Sequence, residues 1–233
     1  MSAHGLRTSE MSSPVSVSIK DDIATLTMDD GKANALAPAM SAGLNAGLDE
    51  AEAKGARAVV IRGRLGVLCG GFDLKIIRGD DEVAKAAMRD AGMALLKRLY
   101  LLPAPLIIAC TGHSVAAGGL LLLTGDTRIG IRGDFTIGLN ETRIGLALPI
   151  TGLELARDRL EETAVTRAVI QAELYDPEGA VAVGYLDQAV DAGAFDIAIA
   201  DAAEALTALD QAAYAETKRR LRQPTLDRIA AAE

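Results

Sequence analysis

Hydrophobic and polar residues alternate in two short segments near the start of the chain. In residues 15–20, Val and Ile alternate with Ser, and in residues 23–28 apolar residues alternate with Thr. A period of two residues predicts β-strands that each bury one face. The polar residues Lys20 to Asp22 lie between the two segments, so the pattern predicts a β-hairpin.

The next segments show a helical period or a continuous apolar run. Met40, Leu44, Leu48 and Ala51 repeat every three or four residues, which predicts a helix that begins near Pro38. Two short apolar runs, residues 58–61 and 106–110, are typical of buried strands, and another strand is predicted at 127–131.

Residues 81–101 are predicted to form a longer helix, which ends before Pro103 and Pro105. Its apolar side is predicted to contain Val83, Ala87, Ala91, Leu95 and Leu99. By contrast, the Gly-rich residues 63–71 and the small residues 111–119 are interpreted as loop and turn.

The last third of the chain is mainly helical in pattern. Asp176 and Pro177 predict the start of a helix that Gly184 ends, and a short strand is predicted at 186–190. Further helices are predicted at 153–160, 164–172, 197–209 and 211–221. The order of elements therefore predicts an α/β fold with a helical C-terminal region.

Composition narrows the classes of partner. The chain is 50% hydrophobic but only 3% aromatic, so the core must be aliphatic. A net charge of −8 argues against nucleic acid or an anionic membrane as the main partner. No apolar run reaches the ~20 residues that cross a bilayer. Residues 1–13 are polar and are predicted to be a disordered leader without a signal peptide.

The two cysteines, Cys69 and Cys110, fit no metal-ligand spacing. We expect both to be reduced and buried, in a cytoplasmic protein. No cluster of His, Cys, Asp and Glu predicts a metal site. His113 and Ser114 are adjacent, but neighbouring residues rarely hold a nucleophile and its base, and no G-x-S-x-G elbow is present.

Two Gly-rich turns and one carboxylate suggest a catalytic site. Each turn follows a strand-like run, and backbone N–H groups at such turns lack an intrahelical partner. If the N–H groups of Phe72 and Ala117 converge, they form an oxyanion hole; the alternative is that each turn only reverses the chain. Glu141 lies among apolar residues, where desolvation favours its protonated form. The alternatives for Glu141 are exposure to solvent or pairing with Arg143.

Four segments, in order along the chain, resemble motifs of the crotonase superfamily, also called the enoyl-CoA hydratase/isomerase family. The resemblance covers roughly residues 15–225. The motifs are Lys32-Ala33-Asn34-Ala35-Leu36, then Val67 to Lys75, then Pro105 to Asp126, and last Phe135 to Pro149.

This resemblance implies the family's ββα spiral for residues 14–190, and C-terminal helices at 191–233 that assemble trimers or hexamers. It also implies that the N–H groups of Phe72 and Ala117 hold the oxygen of an acyl-CoA thioester. Coenzyme A enters as part of the substrate, so no separate cofactor is expected. The residues expected to contact it are Lys32, Ala33, Ala35, Leu36, Gly70, Gly71, Asp73, Leu74, Lys75 and Gly118.

One departure from the family pattern points to the reaction. Hydratases of the family use two glutamates, but the first position is Leu120 here and only Glu141 remains. The segment from Ile137 to Thr142 resembles that of Δ3-Δ2-enoyl-CoA isomerases. The expected activity is thus a shift of a 3-enoyl-CoA double bond to trans-2-enoyl-CoA, with Glu141 as proton shuttle. A hydratase or related lyase with a second acid elsewhere, and a non-catalytic acyl-CoA-binding or RNA-binding member, remain alternatives.

Overall fold

A computed structural model describes residues 13–233. Residues 1–12 lie outside the described part, and so does nearly all of the predicted leader. The described chain contains nine strands, β1 to β9. Their bounds are Val15–Lys20, Ile23–Met28, Ala58–Gly63, Gly66–Cys69, Leu106–Cys110, Gly112–Val115, Thr127–Ile131, Ile137–Gly138 and Gln188–Val190.

Eight α-helices, α1 to α8, accompany these strands in the described residues. Their bounds are Pro38–Ala53, Leu74–Ile77, Glu82–Tyr100, Ala117–Thr124, Ile150–Arg159, Pro177–Val183, Phe195–Thr207 and Gln211–Ala232. Two 3-10 turns, at Thr142–Ile144 and Ala192–Ala194, and a π-helical segment at Thr166–Ile170 complete the structure.

The strands form two sheets. The larger has the order β1-β2-β3-β5-β7-β9, in which only the β1–β2 hairpin is antiparallel. The smaller has the parallel order β4-β6-β8. A strand of the large sheet is followed three times by a strand of the small sheet and then by helix or turn. This repetition is a ββα spiral, so the predicted α/β fold class is confirmed.

The large sheet is buried on both faces. On one face, Val60, Ile107 and Ile129 pack against Phe195 and Ile199 of α7. On the other, the main core contains residues of α1, α3, α4 and α5. Strands covered on both faces need apolar residues at every position. This explains the continuous apolar runs of β3 and β5.

Several local predictions are confirmed. The hairpin has the expected register, with Val15 opposite Met28. Helix α1 begins at Pro38 and buries the four predicted apolar residues. Asp176 caps α6 by accepting the N–H of Gly179, and Gly184 ends that helix with φ 92°.

Three predictions are wrong. The Gly-rich segments at 63–71 and 111–119 contain the short strands β4 and β6, not only loop and turn. Helix α8 extends to Ala232, well beyond Leu221. The predicted apolar side of α3 is also wrong in its first half, because the side chains of Val83, Ala87 and Ala91 are exposed. The helix instead buries Met88, Gly92, Met93, Leu95, Leu96, Leu99 and Tyr100.

Candidate active site

The first turn of the site follows β4 and is held against the loop at residues 32–36. The N–H of Gly70 donates to the carbonyl of Ala33 at 2.8 Å, and the N–H of Leu36 donates to the carbonyl of Gly71 at 2.8 Å. Gly71 has φ 100°, a conformation that favours glycine, and its turn directs the chain into α2. Two of the segments predicted to contact coenzyme A are therefore neighbours.

The second turn follows β6 and opens α4. Ala116 adopts φ 53° and ψ −124°, which is strained for a residue with a Cβ atom. Its N–H donates to the carbonyl of Gly138 at 3.0 Å, and this bond ties the turn to β8. Helix α4 then starts at Ala117, so the N–H of Ala117 points away from the helix at its positive end.

The two turns are in direct contact. A Cβ atom built on Gly71 would lie 3.0 Å from the Cβ of Ala116 and 3.7 Å from the backbone nitrogen of Ala117. A Cβ atom on Gly118 would lie 2.1 Å from the carbonyl oxygen of Cys69, which no side chain could tolerate. Within residues 13–233, neither the N–H of Phe72 nor that of Ala117 has a hydrogen-bond acceptor. The fold thus brings two free donors side by side.

Glu141 lies just after β8, at the start of the Thr142–Ile144 turn. Its Oε2 atom is buried and has no hydrogen-bond partner among the described residues. Burial raises the pKa of Glu141, and the backbone N–H groups of Glu141 and Asn140 oppose this only in part. Arg143 donates to the carbonyl of Ala172 at 3.0 Å, and among the described residues no cation contributes to the pKa shift of Glu141. The two alternatives, exposure of Glu141 and pairing with Arg143, are therefore wrong.

A single cavity of about 610 Å³ joins these elements. Phe72, Leu120 and Glu141 all line it. Apolar side chains form most of the remaining wall: Ile77, Met88, Met93, Leu146, Leu148 and Ile150. Leu120 lies one turn after Ala117 on α4 and is 1% exposed, so an apolar surface faces the cavity at this position.

One further carboxylate lines the cavity, that of Glu82 at the start of α3. Its side chain is 80% exposed and accepts from Lys85 at 2.7 Å. A solvated carboxylate that is already held by an ammonium group is not desolvated in the way that Glu141 is. Glu141 is consequently the buried acid of this cavity.

The residues predicted to contact coenzyme A do not all offer side chains. Lys32, Ala33, Leu74 and Lys75 are exposed, and Ala35 is half-buried. Leu36 and Gly118 are buried in the core, and Asp73 uses its carboxylate to cap α2 by accepting the N–H of Lys75 at 2.8 Å. Contacts from Leu36, Asp73 and Gly118 to a ligand would therefore have to come from the backbone or not at all.

Sequence reasoning missed the cavity wall on α3 and the loop at 146–150. Met88 and Met93 lie among exposed residues that are also apolar, so the sequence pattern does not define one buried face of α3. It also missed Arg64, which donates to the carbonyl of Lys32. The strain at Ala116 had no signal, because alanine does not mark an unusual φ.

The other polar candidates do not form sites. Cys69 and Cys110 are free and buried, as predicted, and burial raises the pKa of each thiol to about 12. His113 is exposed and accepts the N–H of Thr136, whereas Ser114 is buried, so they form no nucleophile–base pair. Residues 13–233 contain no cluster that could hold a metal ion. None of the helices described there has the length and apolar character needed to span a membrane.

Comparison with known proteins assigns the chain to a family. A model described as enoyl-CoA hydratase/isomerase matches residues 18–232. The chain belongs to this family. The predicted resemblance to the crotonase superfamily is thereby confirmed. A crystal structure of an enoyl-CoA hydratase/isomerase family protein from Pseudomonas syringae is 42% identical, with a TM-score of 0.91 and 94% of both chains covered.

Curated relatives of this family member carry names for two reactions. Rat mitochondrial enoyl-CoA delta isomerase 1 is 34% identical over 59% of this chain and 48% of its own. A probable enoyl-CoA hydratase from Bacillus subtilis is 28% identical over 60% of this chain and 55% of its own. The chain spans about half the length of these curated relatives. The comparisons therefore establish an enoyl-CoA-processing family and leave the individual reaction to the chemistry of the site.

Proposed function

We propose that the protein is an enoyl-CoA isomerase that converts 3-enoyl-CoA to trans-2-enoyl-CoA. The observation that carries the proposal is the pairing of one buried carboxylate, Glu141, with an apolar residue, Leu120, in the same cavity. Moving a double bond requires one group that takes a proton and returns it, whereas adding water requires a second group to activate the water.

Glu141 would act first as a base and then as an acid. As the carboxylate, it removes a proton from the carbon alpha to the thioester, and the electrons of that C–H bond delocalise into a dienolate. As the carboxylic acid, it returns the proton to the gamma carbon, which leaves the double bond conjugated to the thioester. The raised pKa of Glu141 suits this role, since a shuttle works best when its pKa is close to the operating pH.

The N–H groups of Phe72 and Ala117 would hold the negative oxygen of the dienolate. Their contact through Gly71 and Ala116 keeps both donors in place before the charge develops. A donor of this kind is typically worth ~100-fold to 1,000-fold in rate. The acyl chain would occupy the apolar cavity, and the coenzyme A part would lie along residues 32–36 and 70–75, with Lys75 near its phosphates.

The decisive experiment is isomerisation of a 3-enoyl-CoA by the Glu141→Gln variant. The glutamine keeps the shape of the side chain but cannot carry a proton, so turnover should fall on the order of 100-fold or more. Formation of the conjugated enoyl thioester is followed by its absorbance. Glu50→Gln, at an exposed residue paired with Lys54 on α1, is the matched control and should keep wild-type turnover. Wild-type turnover by Glu141→Gln would rule out the single-base mechanism.

Hydration is the second candidate, because Glu82 is a second carboxylate on the cavity wall and two curated relatives are named probable enoyl-CoA hydratases. A hydratase would remove the absorbance of trans-2-enoyl-CoA, and Glu82→Gln would then reduce its turnover. Rapid hydration without isomerisation favours this candidate. Binding of acyl-CoA without turnover on either substrate favours a non-catalytic role.

The assembly and location of the protein belong to the same proposal. We expect a homotrimer or hexamer assembled through the helices at 191–233, in the cytoplasm. Light scattering of the purified protein, and of a variant with charges introduced at exposed apolar positions of α8 such as Leu221, tests the first expectation.

A further inference from the structure

Gly92 occupies an unexpected place in the middle of α3. It is buried, and its φ is not in the positive range, so its backbone does not require glycine. Glycine weakens a helix interior relative to alanine. The surrounding residues of α3 are mostly good helix formers such as Ala, Met and Leu. A specific contact must therefore explain the absence of a side chain here.

That contact is the ring of Phe72. A Cβ atom at Gly92 would lie 2.4 Å from Cε1 and 2.8 Å from Cζ of this ring, closer than real Cβ atoms approach other atoms. The ring therefore rests on the bare backbone of α3. It also packs against the main core and lines the cavity that contains Glu141.

The ring and the hydrogen bonds hold the same turn from two directions. On one side, Gly70 and Gly71 are bonded to the loop at 32–36. On the other, the ring of Phe72 is fixed on α3. The backbone N–H of Phe72 lies between these attachments, and misplacing a catalytic group by about 1 Å can cost ~100-fold in rate.

We propose that Gly92 is a positioning residue, which lets the ring of Phe72 dock on α3 and thereby fixes the oxyanion-holding N–H of Phe72. This inference rests on the proposed function for the role of that N–H. The contact between Gly92 and Phe72 does not depend on the proposed function and can be measured without any substrate.

The kinetic test is Gly92→Ala, made in the wild type and in a Phe72→Ala background, which keeps the N–H but removes the ring. In the wild type, kcat should fall about 10-fold or more while KM changes less than about 3-fold. In the Phe72→Ala background, the added methyl group has no ring to displace, so it should change kcat less than about 2-fold. Equal losses of kcat in both backgrounds would overturn the proposal.

A second result would also overturn it. The ring could make room by turning into the cavity, where it would occupy space meant for the acyl chain. In that case KM for a long-chain 3-enoyl-CoA would rise while kcat stayed at the wild-type value, and Gly92 would affect only the size of the cavity.

The stability test needs no activity. Gly92→Ala should lower the melting temperature in the wild type but raise it, by about 2 °C, in the Phe72→Ala background, where the helical preference of alanine acts alone. Ala91→Gly, at the exposed neighbouring position of α3, is the control for helical preference and should leave kcat unchanged.

A wild type without isomerase activity would remove the proposed function, while this melting cycle would still decide whether the contact exists. Identical temperature shifts in both backgrounds would show that it does not.

Discussion

Two carboxylates that are largely shielded from solvent have opposite surroundings in this protein. Asp126, with a side chain 10% exposed, accepts the N–H of Leu106 at 2.8 Å and pairs with Lys218 at 2.7 Å and Arg222 at 3.0 Å. Glu141 has no cation beside it, and its Oε2 atom has no hydrogen bond at all within the described residues. The fold satisfies the first acid completely and leaves the second available.

Asp126 contributes to the stability of the fold, whereas Glu141 is available for a reaction. The bonds of Asp126 join α8 to the start of β5, and Arg222 adds bonds to the carbonyls of Tyr100 and Thr124 at 2.7 Å and 3.1 Å. The donors around Asp126 together join α8 to the sheet and its loops, so this carboxylate is part of the packing of the fold. Burying the carboxylate of Glu141 costs free energy, and no ion pair offsets that cost. Such a residue costs stability and is kept where the reaction requires it.

The largest expected effect is the loss of Asp126. Asp126→Asn keeps the size of the side chain but leaves Lys218 and Arg222 as buried charges without a counter-ion. Breaking a buried pair in this way typically lowers the free energy of unfolding by about 3–5 kcal/mol. Urea unfolding at pH 7, at matched protein concentrations, measures it.

The control for that experiment is the exposed pair of Arg62 and Asp196, in which the aspartate is 77% exposed. Asp196→Asn should change the free energy of unfolding by ~0–1 kcal/mol. If Asp126→Asn had an effect as small as the control, the cluster around Asp126 would not be what holds α8 to the sheets.

Glu141→Gln should have a smaller effect, and of opposite sign, on stability. The glutamine removes a desolvated charge that has no ion pair and that backbone N–H groups support only in part, so the free energy of unfolding should rise on the order of 1 kcal/mol at neutral pH. The same variant that abolishes turnover would then be the more stable protein. A variant less stable than the wild type would mean that Glu141 makes a stabilising interaction after all.

The pH dependence of that gain has a definite sign. Because the folded-state pKa of Glu141 lies above its unfolded value, the folded state holds the proton more tightly. The wild type therefore loses stability as pH rises from the unfolded pKa through the folded pKa. The advantage of Glu141→Gln should be largest above the folded pKa and shrink as the pH is lowered below it. Melting temperatures of both proteins across this window provide the measurement.

The surroundings of Glu141 are easier to predict from the sequence than those of Asp126. The desolvation of Glu141 is indicated by its apolar neighbours in the chain, although much of the cavity wall, such as Phe72, Met88 and Leu120, comes from distant segments. The ion pairs of Asp126 join residues about 90 positions apart, Asp126 with Lys218 and Arg222, and no local pattern indicates them. In the sequence alone, the basic run Lys218 to Arg220 is typical of a solvated helix face, but the side chain of Lys218 is only 6% exposed.

The same limit applies to the fold. Long periodic segments such as α1 were predicted because their own residues define the buried face. Strands β4 and β6 have four residues each and include Gly, so their local pattern is that of a turn. They exist because β4, β6 and β8 pair with one another. The predicted face of α3 failed for a related reason, since alanines fit either side of a helix and only the tertiary contacts of Met88 and Gly92 decide.

Two buried tyrosines repeat the comparison without charge, and the smallest expected effect is that of Tyr185. Tyr100 donates its hydroxyl to Asp158, whereas the hydroxyl of Tyr185 is buried without a partner in the described structure. Tyr100→Phe should lower the free energy of unfolding by about 1–2 kcal/mol, because it removes a hydrogen bond to a charged group. Tyr185→Phe removes only an unsatisfied group and should be neutral or slightly stabilising, within about 0.5 kcal/mol. Urea unfolding of the two variants side by side tests this. A clear destabilisation by Tyr185→Phe would show that its hydroxyl is bonded in solution.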